Sequence, residues 1–183
     1  EMWLTVSKLE QLNNTEGFDQ LFVEYTWNPE INGWNGIRRA GYKYDQTSSY
    51  VVDYTEFGWD ASNQFWNTNK TKFYNPEGSV TSDESYKRNN ANDAWTGTEK
   101  QDYSYINDEK TIKVITYYNW YQGQWVKSTK QETTNDLTYD VFYSWNSTTN
   151  QWVGEFKKEC SYDSVGNRTS LMRYLWDATN NDW

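Results

Sequence analysis

The chain of 183 residues has no histidine, one cysteine and two prolines. Without histidine it lacks the commonest general base and the commonest metal ligand. With Cys160 alone, no internal disulfide can staple the fold. Aliphatic residues are scarce as well. Hydrophobic residues make up 36% of the chain and Trp, Tyr and Phe alone account for 19%, so a core must be built largely from aromatic rings. No apolar run approaches the ~20 residues of a membrane helix, and mean hydropathy is −1.09, so membrane insertion is not expected. A formal net charge of −9 argues against a nucleic-acid partner, which needs a basic surface. The sequence opens at Glu1 with neither an initiator methionine nor a signal peptide, and reads as a mature or excised segment.

What the chain does have is tryptophan, in two columns. Trp34, Trp66, Trp95, Trp125, Trp152 and Trp183 follow Trp3 at steps of 31, 32, 29, 30, 27 and 31 residues. Trp27, Trp59, Trp120, Trp145 and Trp176 each precede a member of that column, and no tryptophan is left over. A period near thirty means copies of one supersecondary unit, here 4–34, 35–66, 67–95, 96–125, 126–152 and 153–183, forming a single array over 1–183. Such a repeat spreads its chemistry evenly, which points away from an enzyme.

The spacing within each pair is seven in Trp27/Trp34, Trp59/Trp66, Trp145/Trp152 and Trp176/Trp183, and five in Trp120/Trp125. Residues opposite each other in an antiparallel hairpin have a constant index sum, so odd spacings allow direct pairing, and a turn shortened by two keeps it. The expectation is a cross-strand Trp–Trp pair closing each hairpin. The intervening 29–32, 61–64 and 178–181 read as four-residue loops, Gln122-Gly123 as a two-residue loop, and Asp60 and Asp177 as turn caps. Backward from Trp120 one face carries Tyr118, Thr116, Val114 and Ile112, a period of two rich in β-branched residues. The fold class is therefore all-β: an antiparallel meander of about six ~30-residue hairpin repeats, extended or coiled, in which neighbouring units stabilise one another.

The run Tyr162-Asp163-Ser164-Val165-Gly166-Asn167-Arg168-Thr169 resembles the YD (Rhs-type) repeat, as does Tyr44-Asp45 in shorter form. The wider pattern has Trp followed by Asp or Asn, then a second Trp preceded two residues earlier by Asn. It resembles secreted aromatic repeat proteins of the Bacteroides–Flavobacterium group. That resemblance implies an extracellular, β-rich, non-catalytic array.

Several residues are candidates for function. The pairs Trp27, Trp34, Trp59, Trp66, Trp120, Trp125, Trp145 and Trp152 form either a carbohydrate-stacking platform or simply the core, since few aliphatics are present to build one. Arg88 stands where the third unit should have its first Trp, and marks either a local site or a tolerated exchange. A basic residue recurs five after the column Trp, as Lys8, Arg39, Lys100, Lys130 and Lys157. In a regular strand it lies on the face opposite the Trp, either as a cation ladder for an acidic glycan or as a solvated face paired with Glu132, Glu155 and Glu159. Asp177 with Asn180, Asn181 and Asp182, and Asn90 with Asn92 and Asp93, read as turn formers or as oxygen ligands for Ca²⁺. No other cofactor is expected. Cys160 takes a tyrosine position and reads as a small buried hydrophobe. These observations predict a non-catalytic extracellular or cell-surface protein, structural or adhesive, acting as stalk, coat or filament subunit. Its partners would be other copies of itself or a surface glycan or protein; a carbohydrate-binding module is the alternative.

Overall fold

The computed structural model describes residues 7–45, 50–88, 94–106, 111–134 and 136–183. Trp3, Asn90, Asn92, Asp93 and Asn135 lie outside the described residues. The chain forms two compact units, Glu1–Glu99 and Lys100–Trp183, and the division falls inside the fourth sequence repeat. The first holds β1 (Ser7–Asn13), β2 (Asp19–Asn28), β3 (Gly33–Tyr44), β4 (Val51–Asp60), β5 (Phe65–Tyr74) and β6 (Val80–Lys87). The second takes β7 (Thr96–Tyr105) from Lys100 onward, then β8 (Ile112–Tyr121), β9 (Gln124–Thr134), β10 (Tyr139–Asn146), β11 (Gln151–Tyr162) and β12 (Arg168–Leu175). Within each unit the strands lie in chain order, every neighbour antiparallel. This is the all-β meander of hairpins that the tryptophan spacing predicts.

Two kinds of turn recur among the described residues, and both contain a left-handed residue. The tryptophan turns place Asn32, Gln64, Asn150 and Asn181 at φ of 47, 55, 53 and 53°. The short one has Gln122 at 49° and Gly123 at 83°, both central residues positive as a type I′ turn requires. Side chains hold these loops: the Asp60 carboxylate accepts from the Ser62 amide at 3.0 Å and that of Asp177 from the Thr179 amide at 2.8 Å.

A second kind of turn is built on an Asn or Asp followed three residues later by glycine. Gly17, Gly78 and Gly166 have φ of 87, 78 and 87°. In each, the side-chain oxygen three residues earlier accepts the amide just beyond the glycine: Asn14 from Phe18 at 2.9 Å, Asn75 from Ser79 at 2.8 Å, Asp163 from Asn167 at 2.8 Å. The turn after β9 has Thr134 in place of the Asn or Asp, its hydroxyl accepting from the Tyr139 amide at 3.1 Å, and Leu137 at φ 60° in the glycine position.

Little is deeply buried. Among the described apolar residues only Val23, Ala40, Trp66 and Val141 are buried, and most strand positions are half-buried on both faces. Val141 faces Glu132 on one neighbour and Lys157 on the other, and Val23 faces Glu10 and Arg39. Long charged side chains therefore roof the valines, their methylene stems covering apolar surface while their heads stay polar.

Leu137 carries the cost of a left-handed conformation that glycine adopts freely, and its side chain is 60% exposed. Leu137→Gly is expected to raise the unfolding free energy by about 0.5–1 kcal/mol after the extra entropy of glycine is subtracted. The urea midpoint measures this; a lower midpoint would mean that the leucine side chain supplies packing worth more than the strain.

Candidate functional site on the tryptophan face

The odd spacings resolve into direct partners. Trp27 faces Trp34, Trp59 faces Trp66, Trp120 faces Trp125 and Trp145 faces Trp152. Ring centroids in these pairs lie 5.3, 5.1, 5.0 and 4.9 Å apart with interplanar angles of 76, 71, 76 and 66°. Trp176 and Trp183 repeat the geometry at 4.9 Å and 71°. All five are edge-to-face, the arrangement in which the positive edge of one indole meets the negative face of the other. Asp177 and Asp182 exchange both backbone hydrogen bonds, at 2.7 and 3.3 Å, so the adjoining Trp176/Trp183 pair is a non-hydrogen-bonded one, where side chains approach most closely.

Arg88 completes the series. It stands seven residues before Trp95, the spacing of the long pairs. Its guanidinium lies 5.2 Å from the Trp95 ring and 5.0 Å from that of Phe65, and its Nε donates to the Trp66 carbonyl at 3.2 Å. A cation–π contact thus takes the place of a ring–ring contact.

Three of the pairs also lean on the hairpin before them. A Cβ built on Gly36 would sit 2.6 Å from Trp66 and 2.7 Å from Trp59; one on Gly154 would sit 2.7 Å from Trp176 and 2.9 Å from Trp183. Both glycines lie two residues after a column Trp. At the corresponding place, Lys127 holds its ammonium 4.5 Å from the Trp145 ring and 5.9 Å from that of Trp152. Tyr25 and Tyr143 add edge contacts to Trp66 at 6.4 Å and Trp183 at 6.2 Å. Sequence reasoning did not single out these glycines, although Gly36 and Gly154 hold one phase of the repeat.

The recurring cations are on the tryptophan face, not opposite it. Four of the tryptophan hairpins carry a one-residue bulge on the second strand, leaving Ile37, Asn67, Ser128 and Glu155 without a direct partner. The extra residue turns an odd offset of five into an even one, so Arg39, Lys130 and Lys157 rejoin the indoles. Lys8, Lys100, Lys130 and Lys157 then face Tyr25, Tyr118, Tyr143 and Tyr174, with ammonium-to-ring distances of 5.1, 5.2, 3.9 and 4.5 Å. Arg39 faces Phe57 at 4.3 Å.

An acid two residues on completes a triad. Lys8 pairs with Glu10, Lys100 with Asp102 at 3.9 Å, Lys130 with Glu132 at 2.5 Å and Lys157 with Glu159 at 3.0 Å. The same carboxylates accept from tyrosine hydroxyls: Asp102 from Tyr118 at 2.5 Å, Glu132 from Tyr143 at 3.1 Å, Glu159 from Tyr174 at 3.2 Å. Lys100, Lys130 and Lys157 are only 16–18% exposed, so they are neither a solvated face nor a free cation ladder. Their partner acids lie on their own strand, and Glu155 is a bulge residue. Burial pushes the Tyr118 and Tyr143 hydroxyls upward, and the neighbouring Asp102 and Glu132 carboxylates add to the shift. Backbone and side-chain donors in its turn, led by the Thr179 amide, hold the Asp177 carboxyl below the usual range, which is the behaviour of a turn former. Cys160 is half-buried opposite Leu171.

No family model and no curated protein matches the chain. Among solved structures it is similar to a protein of unknown function from Bacteroides fragilis, with 18% identity, a TM-score of 0.37, and 87% of this chain and 93% of that one covered.

Two outcomes test this geometry. Gly154→Ala forces a methyl into the Trp176/Trp183 pair and is expected to cost about 1–3 kcal/mol. Gly41→Ala, whose Cβ would meet only the Gln20 carbonyl at 3.8 Å, is expected to be neutral or to stabilise. Equal denaturation midpoints for the two variants would show that the glycine beneath the indoles is not required. The tyrosines give a pH dependence. Their folded values lie above the unfolded value of about 10, so their contribution is whole below pH ~10 and is lost as pH rises beyond it. Urea midpoints should fall above that pH, and fall less in Tyr118→Phe/Tyr143→Phe; an identical fall would assign the alkaline loss to other groups.

Proposed function

We propose that the chain is a non-catalytic structural or adhesive repeat protein that works outside the cell or on its surface, as a stalk, coat or filament subunit. The observation that carries this reading is the recurrence of one side-chain set at one register. A ring pair is followed by a cation over a tyrosine and an acid two residues on, in hairpin after hairpin. An active site gathers unlike groups at one place; here like groups are distributed, and lysine, tyrosine and carboxylate satisfy one another in the triads of Lys100, Lys130 and Lys157. The similarity of Tyr162–Thr169 to the YD repeat supports the extracellular placement. Other copies of this chain, or a glycan or protein of a cell surface, are the partners this reading assigns.

One observation favours the carbohydrate-binding alternative. Of the paired indoles only Trp66 is buried, so the others keep accessible ring surface on which a sugar could stack. Sedimentation velocity over a range of concentrations, with negative-stain imaging, separates the versions. Concentration-dependent assembly into coats or filaments is expected. A monomer at every concentration would remove the polymer version and leave attachment. Tryptophan quenching by a neutral glycan, abolished in a folded Trp145→Ala/Trp152→Ala variant, would move the assignment to the alternative.

A further inference from the structure

The lysines of the triads on the tryptophan face, Lys100, Lys130 and Lys157, are ion-paired; two cations on the reverse face of the second unit are not. Lys158 on β11 and Arg173 on β12 are direct cross-strand partners. Like charges placed opposite each other destabilise a sheet unless something sits between them. Lys158 Nζ lies 5.3 Å from the rings of both Phe142 and Phe156, and the Arg173 guanidinium 4.3 Å from that of Phe156. The two phenylalanines stack beneath them at 4.4 Å and 24°. Neither cation has a carboxylate within ion-pair distance among the described residues. The nearest acid in register is Asp140, opposite Lys158, and its Oδ1 accepts from the Gln131 amide at 3.1 Å.

The row continues across the sheet. Asp140 faces Thr133, which faces Lys113, whose ammonium lies 4.6 Å from the Tyr103 ring and likewise lacks an acid partner among the described residues. Three strand spacings of about 4.8 Å put the Lys113 backbone about 14 Å from that of Lys158. A chain with a net charge of −9 therefore keeps, among the described residues, three cations without an ion-pair partner on one face, two of them opposed over an aromatic floor.

We propose that this row binds an acidic glycan, its carboxylate or sulfate groups seated between Lys158 and Arg173 and a later group reaching Lys113. The planar guanidinium of Arg173 offers two parallel donors to a carboxylate or sulfate, and Lys158 a compact charge. An anion there removes the like-charge repulsion, a gain that a neutral sugar does not provide. Cations spread along a row suit a chain carrying charge at intervals better than one small ion. The overall acidity of the protein repels nucleic acid, whose charge is denser. The proposal rests on the adhesive reading above and names its ligand class.

Affinity electrophoresis of the 183-residue chain through gels containing polygalacturonate, heparin or dextran tests it. Retardation by a polyanion and none by dextran is expected, with polygalacturonate and heparin distinguishing carboxylate from sulfate. Lys158→Gln/Arg173→Gln should weaken binding by about tenfold or more. Lys8→Gln/Lys43→Gln removes the same charge from cations already paired with Glu10 and Asp53, and should change it little. No retardation by either polyanion, or an equal loss in both double variants, would overturn the proposal. Melting of Lys158→Gln/Arg173→Gln is expected at or above that of the parent, since a repulsion is relieved. If that variant unfolds early, Arg173→Lys replaces it, and unchanged affinity there overturns the seating on the guanidinium. Sedimentation without glycan reads the assembly reading separately, so either idea can fail alone.

Discussion

Everything in this fold depends on one contact, the edge-to-face meeting of two rings across a hairpin. In a chain with few aliphatic residues, the indole pair is the largest piece of apolar surface that a hairpin can bring together from its own sequence. An isolated hairpin is marginal in water. The pair becomes sufficient because it is seated on the neighbouring strand, against Gly36 or Gly154, where any side chain would intrude. Tyr25 and Tyr143 then close the edges. Burial is shared out in this way rather than concentrated, which is why so few residues are fully buried and yet most strand positions are half-covered.

The same economy governs the charges. Lysine stems roof Val141, the ammonium groups lie over tyrosine rings, and the carboxylate two residues on binds both the ammonium and a tyrosine hydroxyl. Each polar head is satisfied by a neighbour in the same small set, so polar and apolar parts of the repeat reinforce one another. Where the set is broken, the break is informative. Arg88 replaces an indole and keeps the pairing by a cation–π contact. Arg39 has Gly41 where its relatives have an acid, and keeps its place over Phe57.

Much of the fold could be read from the spacing of the tryptophans. Seven and five are both odd, and that parity alone assigns direct partners such as Trp145 and Trp152. Turn chemistry was equally legible at Gln122-Gly123 and at Asp60 and Asp177. The faces were not. A bulge adds one residue without changing composition or period, so nothing local announces Ile37, Ser128 or Glu155, yet each moves the following cation to the other side of the sheet. The triads did leave a trace, a lysine followed two residues later by an acid at Lys8, Lys100, Lys130 and Lys157. The place of Arg88, seven residues before Trp95, was legible as a break in the tryptophan series; its contact with the Trp95 ring depends on the fold. The unneutralised pair of Lys158 and Arg173 needs the register of β11 against β12, a long-range fact that no single strand contains.

Three of the indole pairs lean the same way. Trp59 and Trp66 rest on Gly36, Trp145 and Trp152 lie under Lys127, and Trp176 and Trp183 rest on Gly154. In every case the support lies earlier in the chain than the rings it carries. A ribosome releasing the N-terminal end first therefore delivers each of these hairpins to a seat that already exists. No hairpin in these examples has to wait, with its tryptophans uncovered, for sequence still to be made.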